Sequence, residues 1–126
     1  MKETVEELYK ILKIDRNKSP WMKKVTLLDW MNHLQSEIEE VKEALEKNDL
    51  KNLHEELGDI FHVAMGSLVI AEDAHQADAK NIISDSVEKL KRRKPWIFTN
   101  EELTMEEEEQ RWNEVKEEEK NERNRS

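Results

Sequence analysis

Cysteine is absent from all 126 residues, which removes disulfides, thiol nucleophiles and cysteine-ligated zinc. Glycine and proline are nearly absent too, at two residues each, while charged residues reach 40%, a balance that favours helices over a turn-rich β protein. No apolar run approaches the roughly 20 residues of a membrane span. The opening segment MKETVEELYKIL mixes acids with apolar residues and lacks a secretory pattern, so a soluble cytoplasmic protein is expected. A net charge of −9 argues against nucleic-acid polymers and membrane surfaces as partners, yet leaves room for a local basic site for a small phosphate ligand.

What is present is helical periodicity. Val5, Leu8, Ile11 and Leu12 predict a first helix over 2–13, and Ser19-Pro20-Trp21 marks a turn after the polar stretch Asp15 to Lys18. Leu27, Met31, Leu34, Ile38, Val41 and Leu45 alternate spacings of four and three, a heptad seam over 26–47 with d at Leu27 and a at Met31. Leu50, Leu53, Leu57, Ile60 and Ala64 repeat the rule over 50–73, and the only polar break between the two segments is Lys47-Asn48-Asp49. A fourth helix over 77–93 carries Ile82, Ile83, Val87 and Leu90 and ends before Pro95. Thr104 and Glu107 suit a capping box opening a last, weakly apolar helix. The expected fold is all-α, a bundle of four to five helices around an antiparallel hairpin. Its stripes are too extensive for two helices to cover, so self-association should complete it. One domain over 1–119 is expected, with 120–126 a frayed tail.

The acids of the hairpin are the most telling residues. Glu37/Glu40 and Glu56/Asp59 each have i, i+3 spacing, and the pairs are mirror-placed about Asn48. Folding the chain back there brings both pairs to the same height, with Glu37 and Glu56 at g and Glu40 and Asp59 at c, flanking the seam. Four converging carboxylates repel one another, and a hard divalent cation is the usual remedy. A single Glu-x-x-Glu in so acidic a chain is more often a solvated face; the mirror placement is what raises the metal reading. Gly58, between two of these acids, marks close approach of a ligand or tight helix packing, whereas Gly66 reads as packing.

Lys89-Leu90-Lys91-Arg92-Arg93-Lys94 places five cations in six residues. They suit the dipole at a helix C-terminus, and the arginine forks suit phosphate oxygens. His33 and His62 read as structural. Trp21, Trp30, Trp96 and Trp112 read mostly as core, although Trp21 and Trp112 stand in polar surroundings that suit stacking on a base.

Taken together, these residues resemble the MazG nucleotide pyrophosphohydrolases. That family's Glu-Glu-x-x-Glu, spacer, Glu-x-x-Asp signature reads here as Ser36-Glu37-Ile38-Glu39-Glu40, fifteen residues, then Glu56-Leu57-Gly58-Asp59. The likeness extends through Ser19-Pro20-Trp21, the 89–98 stretch and Arg111-Trp112-Asn113-Glu114-Val115-Lys116. It implies an all-α fold whose subunits pair as a dimer or dimer of dimers. It also implies Mg²⁺-dependent cleavage of nucleoside triphosphates between the α and β phosphates, with Mn²⁺ a substitute. Glu37, Glu40, Glu56 and Asp59 would bind metal and serve catalysis; Lys89, Arg92 and Arg93 would bind phosphates; Trp112 and Lys116 would be late-closing substrate contacts. Ser36 stands where the family has its first Glu, and Met22 and Val25 where it often has Asp and Gln. Two alternatives stay open. One is a narrower all-α pyrophosphatase acting on dUTP, dCTP or phosphoribosyl-ATP; the other is a catalytically silent module that binds a nucleotide or a protein partner.

Overall fold

The computed structural model describes residues 1–125. Their order is α1 (Lys2–Lys18), α2 (Pro20–Lys24), α3 (Leu27–Glu46), α4 (Leu50–Ala74), α5 (Ala79–Arg93), a 3₁₀ turn (Pro95–Phe98) and α6 (Met105–Arg125). No strand occurs among the described residues. The chain forms two compact units, Met1–Ala79 and Lys80 onward.

In the first unit, α3 and α4 make the antiparallel hairpin. Thr26 caps α3 with a reciprocal box: its Oγ1 accepts from the Asp29 N–H at 3.0 Å, and Asp29 Oδ2 accepts from the Thr26 N–H at 3.1 Å. The turn is a left-handed cap. Asn48 sits at φ 52, a conformation asparagine tolerates, while its N–H reaches Leu45 O and that of Asp49 reaches Ala44 O. Asp49 then caps α4 by accepting from the Asn52 N–H at 3.2 Å.

The stripe that the hairpin buries is not the expected a/d seam. Buried on α3 are Trp30, Glu37 and Ala44, and on α4 Glu56, Val63 and Ile70, with Met65, Gly66 and Val69 beside them. Trp30, Glu37, Ala44, Glu56, Val63 and Ile70 all fall in the g column. Leu27, Leu34, Val41, Leu53 and Ile60 at d are half-buried, while Ile38, Leu45, Leu50 and Leu57 at a are 39%, 59%, 70% and 51% exposed. The helices are rotated about one residue from the a/d solution. Trp30 is the physical reason: its ring, too large to leave wet, packs with Met22, Val25, Val63 and Ile70, and its Nε1 donates to Val63 O at 2.7 Å. Gly66 makes that fit possible, since a Cβ there would lie 2.8 Å from Trp30 Nε1.

Helix α1 is five residues longer than the periodicity suggests, running to Lys18. Leu12 joins Met65 and Val69 in a second cluster that Val5, Leu8, Tyr9 and Leu68 flank. Arg16, one turn on, is buried on the same face. It donates to Met22 O at 2.6 Å, Val25 O at 2.7 Å and Asp73 Oδ2 at 2.9 Å, so one guanidinium closes the end of α2 and ties it to α4. Tyr9 donates to Glu72, which pushes the phenol up to about 12, hydrogen bonding being the larger cause and burial the next.

The second unit has few buried apolar side chains. Ile82, Ile83, Val87 and Leu90 on α5 are 41–53% exposed, and α6 has no buried residue. Charges and rings hold it instead. Trp96, 5% exposed, donates from Nε1 to Glu108 at 2.8 Å, and Arg111 pairs with Glu101 at 2.9 Å. The Thr104/Glu107 box opens α6, each side chain accepting from the other's N–H at 3.2 Å. Helix α6 continues to Arg125, through the stretch for which a frayed tail was expected; Ser126 lies outside the described residues.

The two helical glycines should respond in opposite senses to alanine. Gly66→Ala gains about 1 kcal/mol of helix propensity but overpacks a rigid indole at a cost of about 1–3 kcal/mol, for a lower melting temperature. Gly58→Ala meets no atom within 4 Å and should raise it. Arg16→Met should cost about 2–4 kcal/mol in denaturant unfolding, because two buried carbonyls lose their donor.

Candidate functional site

Side by side in the middle of the hairpin seam, Glu37 and Glu56 are each only 9% exposed. Their g positions, which the sequence reading placed beside the seam, lie within it. One carboxylate oxygen from each of Glu37, Glu56 and Asp59 falls within 4.8 Å of the other two. Glu40 is exposed, outside that cluster of three, yet close enough for its carboxylate to hydrogen-bond Glu56. The hairpin therefore brings all four predicted acids to one place, two inside and two at the rim.

The electrostatics carry the mark of crowding. Glu56 is pushed up to about 7, first by the hydrogen bond with Glu40, then by burial, then by Glu37. Two oxygens remain buried with no hydrogen-bond partner, Glu37 Oε2 and Glu56 Oε2. Buried carboxylate oxygens without a donor are costly, and a cation satisfies several at once. The donor set is oxygen only, which suits a hard ion such as Mg²⁺, Mn²⁺ or Ca²⁺ rather than a thiophilic one.

Residues the motif did not point to also surround the site. His33 Nε2 lies 3.7 Å from Glu37 Oε1, and its ring stands 5.2 Å from that of Trp30, so the histidine bridges core and carboxylate. Its i, i+4 spacing to Glu37 was the available signal. Trp21 is 66% exposed, with its ring 6.0 Å from Trp30. Gly58 has no close neighbour, so the packing reading fails there; it lines an open groove with Asp59, His62 and the apolar side chains of Leu8, Ile11 and Ile14.

The predicted phosphate ligands all belong to the second unit. Arg92 and Arg93 are not free: both donate to Glu119 on α6, with contacts of 2.9–3.2 Å. That fork holds the Glu119 carboxyl down at about 2, Arg93 contributing most and Arg92 next. Trp112 is half-buried under three cations, with Arg93, Lys94 and Lys116 at 5.3, 5.6 and 5.2 Å from its ring centre. Lys94 also reaches Glu108 at 3.7 Å. Among the described residues, neither Lys89 nor Lys116 has an ion-pair partner. Glu119 escaped the sequence reading because it is one acid among many on a polar helix.

Comparison with known proteins bears on the family and the fold. Residues 25–98 match the MazG nucleotide pyrophosphohydrolase domain, a stretch that contains the four acids, Lys89, Arg92 and Arg93 but not Trp112 or Lys116. The crystal structure of a mazG-related protein from Thermotoga maritima superposes with a TM-score of 0.85 at 40% identity, covering 89% of this chain and 98% of that one. A nucleoside triphosphate pyrophosphohydrolase from Mycolicibacterium smegmatis is 30% identical over 107 residues, 83% of this chain and 33% of the relative. The uncharacterized protein YabN of Bacillus subtilis is 30% identical over 106 residues, 83% of this chain and 22% of the relative. The chain thus spans between about a fifth and a third of those two proteins. By its sequence match and its fold, the chain belongs to the MazG nucleotide pyrophosphohydrolase family.

Proposed function

We propose that this protein is a divalent-metal-dependent nucleoside triphosphate pyrophosphohydrolase that yields a nucleoside monophosphate and pyrophosphate, clearing nucleotides from a cytoplasmic pool. The observation that carries the reading is the pair of buried, unpartnered oxygens of Glu37 and Glu56 within a three-carboxylate cluster. The residues fit a magnesium ion: Glu37, Glu56 and Asp59 would hold it, with Glu40 at the rim. The ion would draw charge off the phosphate oxygens and favour attack by water. The chain's own groups do the rest. Glu37 and Glu56 exclude solvent by their burial, His33 orients Glu37, and Glu40 with Glu56 holds or passes a proton. Lys89, Arg92, Arg93 and Lys116 supply positive charge for the phosphates, and Trp112 or Trp21 offers a face to the base. A narrower substrate range, on dUTP, dCTP or phosphoribosyl-ATP, keeps the same chemistry.

Self-association belongs to the same reading. Ile38, Leu45, Leu50 and Leu57 leave an apolar ridge on α3 and α4, and Phe61 beside it is 48% exposed. Such a ridge suits a second copy of this chain, making a homodimer or a dimer of dimers.

Incubation with a panel of NTPs and dNTPs plus Mg²⁺ should release pyrophosphate and nucleoside monophosphate; orthophosphate would refute the reaction. Glu40→Gln and Asp59→Asn should each lower turnover by at least about a hundred-fold with helicity intact, and wild-type rates would refute the ligand set. The metal-free protein should also show a pH signature. Because Glu56 titrates at about 7 rather than 4.5, the folded state keeps a proton that the unfolded state has released. Its contribution to stability is full below about 4.5 and lost as pH rises through about 7. Thermal melts across that window should show a falling melting temperature. The fall should shrink in Glu56→Gln and when Mg²⁺ is added; an unchanged slope in both would exclude Glu56 as its source.

A further inference from the structure

Each unit of this chain presents one strongly charged cluster, and the cationic one is already occupied from within. Glu119, 16% exposed in its side chain, accepts from Arg92 Nε and from its terminal nitrogen at 3.1 and 2.9 Å, and from Arg93 through both carboxylate oxygens. The two guanidinium groups converge on one carboxylate as they would on a phosphate, since both anions offer coplanar or tetrahedral oxygens about 2.2–2.5 Å apart to the same fork. Around this clasp lie cations without a carboxylate of their own: Lys89 lines the groove beside Arg92, and Lys116 lies over the Trp112 ring together with Arg93. Helix α6 has no buried residue, so polar contacts such as this clasp hold it.

We propose that Glu119 is an internal competitor for the phosphate chain, occupying the Arg92/Arg93 fork in the free protein and leaving it when a polyphosphate binds. The inference rests on the reading of Arg92 and Arg93 as phosphate ligands. Its consequences are distinct from that reading. The apparent affinity for a polyphosphate is reduced by the fraction of molecules in which the fork is closed, so opening the fork tightens binding without adding a contact. Departure of Glu119 also removes a tie between α5 and α6, so ligand binding should loosen the segment after Lys116 rather than order it. A residue that only positions the arginines would do the reverse on both counts.

The test is calorimetric titration of the full chain with inorganic pyrophosphate. Glu119→Gln should bind about ten-fold more tightly than wild type, while Glu118→Gln, which removes the same charge from an exposed neighbour, should change affinity by less than about two-fold. Unchanged or weaker binding by Glu119→Gln, with Arg93→Ala still abolishing it, overturns the competitor and leaves the phosphate reading standing. Binding by Arg93→Ala equal to wild type overturns both. A measurement on the unaltered chain covers the case of a variant that misfolds. Tryptic cleavage at Lys120 should accelerate on adding pyrophosphate; protection there overturns the proposal.

Discussion

Two carboxylates buried in the seam of a helical hairpin are the constraint around which the first unit is arranged. A seam column that runs Trp30, Glu37, Ala44 on one helix and Glu56, Val63, Ile70 on the other alternates hydrophobic anchoring with charge. The anchors bear the cost. Trp30 locks one end through its hydrogen bond to Val63 O, and Ala44, 1% exposed, allows close approach near the turn. Between them the acids are held at a separation that solvent would not choose, with one oxygen of each left without a donor. Crowding and burial raise the Glu56 carboxyl, and an oxygen-only cluster of this kind could hold a cation.

The second unit solves the opposite problem. Its helices expose most of their apolar side chains, so it draws its order from ion pairs and from rings stacked under cations. Individually such contacts are weak at a surface. Here several share side chains: Arg93 serves both Glu119 and Trp112, and Glu108 serves both Trp96 and Lys94. A network built on shared charges responds to any ligand that offers a better charge. A hydrophobic core does not.

Much of this was legible in advance. The hairpin, its turn at Asn48, the Thr104/Glu107 capping box and the meeting of all four acids follow from spacing and from cap chemistry, both local properties. The column of the seam was not legible. Alternating spacings of four and three describe two neighbouring stripes equally well, and a count of aliphatic residues selects a and d. The choice fell to g because one indole at Trp30 outweighs the leucines, and because Gly66 leaves it a place. Arg16 illustrates the same limit. It looks like the start of a polar loop, yet it lies four residues after buried Leu12 on the same helix face, and that position was the clue to its burial.

The sequence by itself determined the long helices, their order and the family, because periodicity, caps and a spaced acidic motif are written in near neighbours along the chain; the short helix Pro20–Lys24 was read as a turn. Only the tertiary structure decided which carboxylate oxygens lost their water, which glycine was indispensable, and that Glu119 sits in the arginine fork. Those outcomes depend on residues of different helices competing for the same few ångströms, and no local pattern encodes who wins.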